Sequence, residues 1–289
     1  MKRTFERYRN VGYRFVTGFL EPGNLPVLEV LDAAQRARQV GGAIAEIGVH
    51  HGRLFIALHL LQRGSGKSVA IDLFGDQEFN IDNSGHGDVE KFTDNVALWS
   101  SMDGVELHQG DSTQLTAEVL SEKAGGPIRF FSVDGGHTEE IVYSDMRLAE
   151  ATLAAGGIVI ADDVFNQQWP GVAVGTLKYL EDGAKLVPFA IGFNKVLFTH
   201  PEYAEYYRAE LRSAFTRNLR IQTEATVFAG HDVQYLANVT AVDLLRRSET
   251  ARSVYHRAYK ELVRGMALVS GGQERGDTGK KSGRGKPGQ

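Results

Sequence analysis

From residue 43 onward, short apolar runs alternate with longer stretches whose apolar residues recur every three or four positions. AIAEIG (43–48) reads as a buried strand and RLFIALHLLQR (53–63) as a helix. SVAIDLF (68–74) is a second strand, and a polar loop rich in Gly and Asn (75–88) leads to a helix over 89–101. GVELHQGDS (104–112) holds a third strand, TQLTAEVLSEK (113–123) a helix, and IRFFSVDGG (128–136) a fourth strand. A helix over 139–155, the strand GIVIADDV (157–164) and a helix over 171–180 follow. Strands near 185–191 and 195–199, separated by Gly192, Phe193 and Asn194, read as an antiparallel hairpin. Alternation of this kind predicts an α/β fold with a mostly parallel sheet covered on both faces. The near-continuous apolar strands agree, because a strand buried on both faces has no polar side to show.

On either side of this core the pattern changes. Residues 1–40 read as helical, broken near Glu21–Asn24. Val27, Val30, Leu31, Ala34 and Ala37 lie at helical spacing before Gly41-Gly42 ends the run. Tyr8, Tyr13 and Phe15 are candidates for a lid, for core, or for contacts in a homo-oligomer. Residues 201–268 are expected to be a largely helical extension of the same domain. It holds one helix over 201–215, another over 242–266, and ATVFAG (225–230) as a short strand between them. The tail, 269–289, has almost no apolar side chains to bury and is expected to be disordered. The expected organisation is therefore a helical lid segment (1–40), a core domain (41–200), its helical extension (201–268) and the tail.

Composition narrows the function. The chain has 289 residues, a net charge of −4 and no cysteine. Disulfides, thiol nucleophiles, iron–sulfur clusters and Cys-ligated zinc are excluded. The charge gives no reason to expect nucleic-acid binding. No apolar stretch is long enough to span a bilayer, and the basic N-terminus lacks the apolar segment of a secretory signal. A cytoplasmic protein acting on a small molecule is the expectation.

Acidic residues mark the ends of the predicted strands, where open parallel sheets bind their ligands. The first strand runs into Glu46-x-Gly48-x-x-x-Gly52, whose glycines permit a tight turn and close backbone approach. A glutamate there would repel phosphate and attract a cationic ligand such as a sulfonium. Neither a dinucleotide fingerprint nor a phosphate-binding loop is present. Asp72 ends the second strand, where a carboxylate accepts hydrogen bonds from ribose hydroxyls. Asp111, with Ser112, follows the third strand, where an adenine amino group can be read. His50 and His51, being adjacent, are not expected to face the same way. This order of motifs over residues 40–200 resembles the class I S-adenosylmethionine-dependent methyltransferases. The resemblance implies a Rossmann-like fold with a seven-stranded, mostly parallel sheet and an antiparallel terminal strand. It also implies S-adenosylmethionine as cofactor, its methionine part against the glycine turn and its ribose on Asp72.

Asp134 after the fourth strand and Asp162-Asp163 after the fifth form a second cluster. Three carboxylates with no Lys or Arg between them would repel one another, and a hard divalent cation, Mg²⁺ above all, would relieve this. Each Asp also has an alternative role as a helix cap. His137, in Asp-Gly-Gly-His, can turn back on the site as a general base. Trp169 can stack on a sugar ring or simply start a helix. The Asp-Gly-Gly-His and Asp-Asp motifs resemble the metal-dependent O-methyltransferases of sugars and macrolide sugars. That resemblance implies Mg²⁺ held by Asp134, Asp162 and Asp163, and His137 as the base. The alternatives are a metal-independent or nitrogen-directed methyltransferase, and a binding protein without turnover.

Overall fold

The computed structural model describes residues 4–75, 85–240, 243, 253–261 and 263–264. The chain divides into two compact units, Met1–Asn238 and Val239–Gln289. In the second unit, residues 253–261 and 263–264 are helical. The expected helix over 242–266 lies partly, and the tail wholly, outside the described residues. Among the described residues no helix is long and apolar enough to cross a membrane.

The first unit opens with helix α1 (Phe5–Asn10), a single turn at Gly12–Phe15 and helix α2 (Asn24–Ala37). The repeating part then runs β1 (Ala43–Ile47), α3 (Arg53–Leu61), β2 (Ser68–Asp72), α4 (Val89–Trp99), β3 (Val105–Gln109) and α5 (Ala117–Ala124). It continues through β4 (Ile128–Val133), α6 (Glu139–Thr152), β5 (Leu153–Asp162), α7 (Pro170–Glu181), β6 (Val187–Gly192), β7 (Lys195–Thr199) and α8 (Pro201–Phe215). Two further strands, β8 (Ile221–Phe228) and β9 (His231–Asn238), end the unit.

The strands form one sheet in the order β3-β2-β1-β4-β5-β7-β6-β9-β8. β1 to β5 pair in parallel, and β7 inserts antiparallel between β5 and β6. The order reverses between β1 and β4, which opens a crevice at the strand ends. The sheet has nine strands rather than seven, because residues 221–238 form a hairpin instead of part of a helical extension. β9 pairs in parallel with β6, Ile191 opposite Tyr235, and β8 closes the edge. Its two-residue turn, Ala229-Gly230, has φ of 48° and 80°, the doubly left-handed turn that suits strand twist. The β6–β7 turn at Phe193-Asn194 is built the same way, with φ of 52° and 67°.

Side-chain alternation along the strands separates two apolar cores. On one face Ile44, Phe130 and Ile160 pack with Leu31, Phe55, Leu58, Tyr207 and Leu211 of α2, α3 and α8. On the other, Phe131, Val159 and Phe198 pack with Leu120, Met146, Val172 and Tyr179 of α5, α6 and α7. Tyr8 and Tyr13 belong to the first core, so of the three N-terminal aromatics only Phe15 stays exposed.

Candidate active site

The period of two along each strand sets which residues meet at the crevice. Glu46, Asp72, Asp134, Asp162 and Lys195 share parity with Ile44, Ala70, Phe130, Ile160 and Leu197, all on the first core face. The sheet thus gathers four carboxylates and one ammonium on the same side of five strand ends. Above them lies a cavity of about 1250 Å³.

The glycine turn after β1 forms one wall. Gly48 has φ of 82°, and a Cβ there would lie 1.7 Å from the Asp134 carbonyl oxygen. Only glycine lets the β1 and β4 loops meet so closely. Gly48, Asp72, Asp111 and Ser112 all line the cavity. Asp72 accepts the backbone N–H of His50 at 2.8 Å and of Phe74 at 2.6 Å, which fixes its carboxylate at the mouth of β2. Asp111 accepts from the Thr113 backbone at 2.9 Å and hydroxyl at 2.8 Å, so it also caps the turn at Ser112–Gln114. Gly52 stands back from the cavity. It starts α3 at φ of 88°, against Phe92. Glu46 is buried behind the cavity wall, and its Oε2 has no hydrogen-bond partner. Burial, then the Asp162 and Asp72 charges, push its carboxyl well above the usual range against the pull of Lys195. The His50 and His51 rings stack at 3.9 Å, contrary to the expectation that they diverge, because His50 takes a left-handed φ of 50°.

The acidic cluster divides in two. Asp134, His137 and Asp163 each bring one ligand atom within 4.8 Å of the others. His137 Nε2 lies 3.3 Å from Asp163 Oδ2, and Trp169 stacks on the imidazole at 4.4 Å. Asp163 also accepts from Asn166 at 3.2 Å and from Asn194. Burial raises its pKa, but the His137, Asn166 and Asn194 contacts outweigh this and hold it below the usual carboxylate range. Asp134 is pushed well above that range by burial and by Asp162. None of the three acids caps a helix. Thr138 caps α6, and α7 starts at Pro170 without a side-chain cap.

Asp162 stands outside the three-residue group. One oxygen accepts the Asp163 backbone N–H at 2.9 Å, and the other pairs with Lys195 Nζ. The expectation that no Lys or Arg lies among these carboxylates is therefore corrected. Lys195 heads β7, which runs antiparallel beside β5 and so brings its first residue to the end of β5. Burial draws its pKa down, yet Asp162, Asp134 and Glu46 outweigh that and raise it above the usual lysine value. The sequence held a signal for this residue. A lysine opens KVLFT, a strand with no other polar residue before its final threonine.

These residues fit both expected groups in kind. Glycine backbone and strand-end carboxylates line a cavity wide enough for a nucleoside cofactor, and two carboxylates beside an imidazole offer oxygen donors for a hard divalent cation.

Residues 45–164 match the family model described as "Methyltransferase domain". Among solved structures, the chain is similar to the O-methyltransferase NovP, with TM-score 0.50 and 16% identity over 61% of this chain and 79% of that one. CalS11, a TDP-rhamnose 3'-O-methyltransferase of calicheamicin biosynthesis, gives TM-score 0.44 and 21% identity over 67% and 86%. An O-methyltransferase from Bacillus cereus in complex with SAH gives 0.45 and 18% over 68% and 90%. None of the curated proteins matches the chain. The sheet order and the glycine turn agree with that match: residues 45–164 carry a methyltransferase domain, on a sheet of the Rossmann-like kind.

Proposed function

We propose that the protein transfers a methyl group to a hydroxyl of a small molecule, a sugar or glycoside, with assistance from Mg²⁺. The observation that carries this reading is the meeting of Asp134, His137 and Asp163 at the cavity wall. The Asp-Gly-Gly-His and Asp-Asp motifs, which resemble those of the sugar O-methyltransferases, favour oxygen and a sugar as the target. Asp134 and Asp163 would hold the cation, which when bound lowers the proton affinity of a coordinated hydroxyl.

The chain's own groups have separate tasks. His137 accepts the hydroxyl proton. With its Nε2–H directed at Asp163, the basic lone pair is on Nδ1. Asp163 and the stacked Trp169 fix the plane of the ring, so little reorganisation is needed when the proton moves. Asp72 and the Gly48 turn hold the ribose and methionine parts of the cofactor. S-adenosylmethionine, when bound, would supply the methyl carbon to the hydroxyl oxygen, its carbon–sulfur bond breaking as the carbon–oxygen bond forms.

The Lys195–Asp162 pair supports a second reading, in which a resident ammonium supplies the positive charge and no metal is needed. Chelation separates the two. Under the first reading, methylation of a panel of glycosides stops in excess EDTA and returns with Mg²⁺, and full activity in EDTA would leave only the second. His137→Ala is expected to lower kcat by about 10²–10⁴ while leaving S-adenosylhomocysteine binding intact. Unchanged kcat at neutral pH would remove the base. Asp163→Ala should raise the Mg²⁺ concentration needed for half-maximal rate.

A further inference from the structure

The cavity is larger than a single ligand needs. Its volume of about 1250 Å³ exceeds the roughly 300–1,000 Å³ that usually holds one drug-sized molecule. Its wall also extends past the domain core. Tyr235, Leu236, Ala237 and Asn238 of β9 line it, together with Phe165 from the loop after β5. These residues lie beyond 45–164, the span of the methyltransferase domain match.

The added wall has a distinct chemistry. Phe165 is 54% exposed and Tyr235 38% exposed, although both line a cavity. Phe165 is braced edge-on by Phe228 of the same hairpin, ring centres 5.6 Å apart. Tyr235 is set by its backbone pairing to Ile191, which lines the cavity too. Rings held from behind and wet in front are placed to receive another apolar surface. Asn166 and Asn238 flank them and line the same cavity.

The position of this wall follows from the chain. Phe165 is two residues from Asp163, so their Cα atoms are within about 7 Å of each other. An acceptor whose reacting hydroxyl lies at Asp163 and His137 therefore has Phe165 close by, and Tyr235 lines the same cavity.

We infer that Phe165 and Tyr235, braced by the β8–β9 hairpin, form an acceptor subsite for a flat aryl group next to the methylated hydroxyl. The inference rests on the proposed O-methyl transfer for the identity of the reacting end. The subsite itself needs only the aromatic wall. A sugar lacking such a group would meet the polar end of the cavity alone, and would leave both rings wet.

The test uses the full-length protein saturated with S-adenosylhomocysteine and Mg²⁺. Dissociation constants are measured by calorimetry for 2-naphthyl β-D-glucopyranoside, methyl β-D-glucopyranoside and 2-naphthol. The naphthyl glucoside should bind on the order of tenfold more tightly than the methyl glucoside. The Phe165→Ala/Tyr235→Ala protein should bring the two glucosides to within about twofold, and Tyr235→Phe should keep the preference. S-adenosylhomocysteine affinity is measured in each variant and should not move, which shows that the fold is intact. Binding of 2-naphthol that weakens in the same double variant would assign the subsite to the ring alone, and would support it. Equal affinity for the two glucosides in the unaltered protein, an aryl preference that survives the double substitution, or no binding of either aryl probe would overturn it. The chelation experiment reads the metal-assisted reaction separately. Methylation that ignores EDTA, together with an intact aryl preference, overturns that reaction and leaves the subsite standing.

Discussion

Lys195 decides how much of the acidic site is left for a metal. Five carboxylates, Glu46, Asp72, Asp134, Asp162 and Asp163, surround a cavity wall that holds one fully buried ammonium. Removing one member of a buried pair leaves the other charge without compensation, at a cost of about 3–5 kcal/mol. Lys195→Met should therefore lower the free energy of urea unfolding by that amount. Adding Asp162→Asn should recover most of it, and a double variant as weak as the single one would show that the pair is not the source. A second buried acid lies on the far side of the sheet. Asp145 of α6 has both oxygens without a well-formed hydrogen bond, and burial pushes its carboxyl from the usual 3.8 up to about 7, the Ser112 hydroxyl offsetting part of this. The folded chain thus holds a proton that the unfolded chain releases near pH 4. Stability contributed at this site is full below that pH and declines as pH rises to about 7, by up to about 4 kcal/mol. Asp145→Asn should flatten that part of the pH–stability curve, measured as the difference from the unaltered protein by urea unfolding at pH 5 and pH 8. Parallel curves for the two proteins would refute the assignment. Asp145 was not legible as a buried acid in the sequence, and Lys195 left only the signal of a lone lysine at the head of an apolar strand. Each lies in an ordinary-looking strand or helix, and only the antiparallel insertion of β7 and the packing of α6 expose its chemistry.

At the level of elements, the sequence was legible where the chain is buried on both sides. β1, β2 and β4 to β7 are largely apolar runs between helices, and the β6–β7 hairpin follows from that pattern, whereas β3 (VELHQ), at the other sheet edge, is only partly buried. The β8–β9 hairpin was legible only in part. Its strands mix Gln222, Glu224, Asp232 and Gln234 with apolar residues, because β8 forms the exposed sheet edge, and such a mixture carries little periodic signal. What fixes the hairpin to the sheet is a contact that no pattern shows. A Cβ on Gly192 would lie 2.2 Å from the Leu236 carbonyl oxygen, so glycine lets β9 pair closely with β6. Gly192→Ala should force the two strands apart at a cost of about 1–3 kcal/mol. Hydrogen–deuterium exchange is the direct measurement. Amides of residues 231–238 should exchange faster in the variant, while those of β4 keep their protection. Unchanged exchange in β9 would mean that the strand is held by other contacts.

For the whole molecule, the question is where the functional unit ends. Among the described residues every strand and every residue lining the cavity falls within 1–238, and the chain divides into its two compact units immediately after Asn238. A unit of that length is ample to bury its own cores, and two are present on opposite faces of one sheet. The residues beyond include the Gly-rich tail, whose composition gives hydrophobic burial little to act on. A chain ending at Asn238 is therefore expected to fold as a monophasic unit and to bind S-adenosylhomocysteine with an affinity within about twofold of the full chain, a difference of under half a kcal/mol. Calorimetric titration and thermal unfolding of the shortened protein measure both. Loss of cofactor binding, or a melting temperature lowered by more than about 5 °C, roughly 1–2 kcal/mol for a protein of this size, would show that residues after Asn238 complete the site or its support. Retained binding with lost methyl transfer would be the more informative result. It would assign those residues a part in methyl transfer and none in cofactor binding.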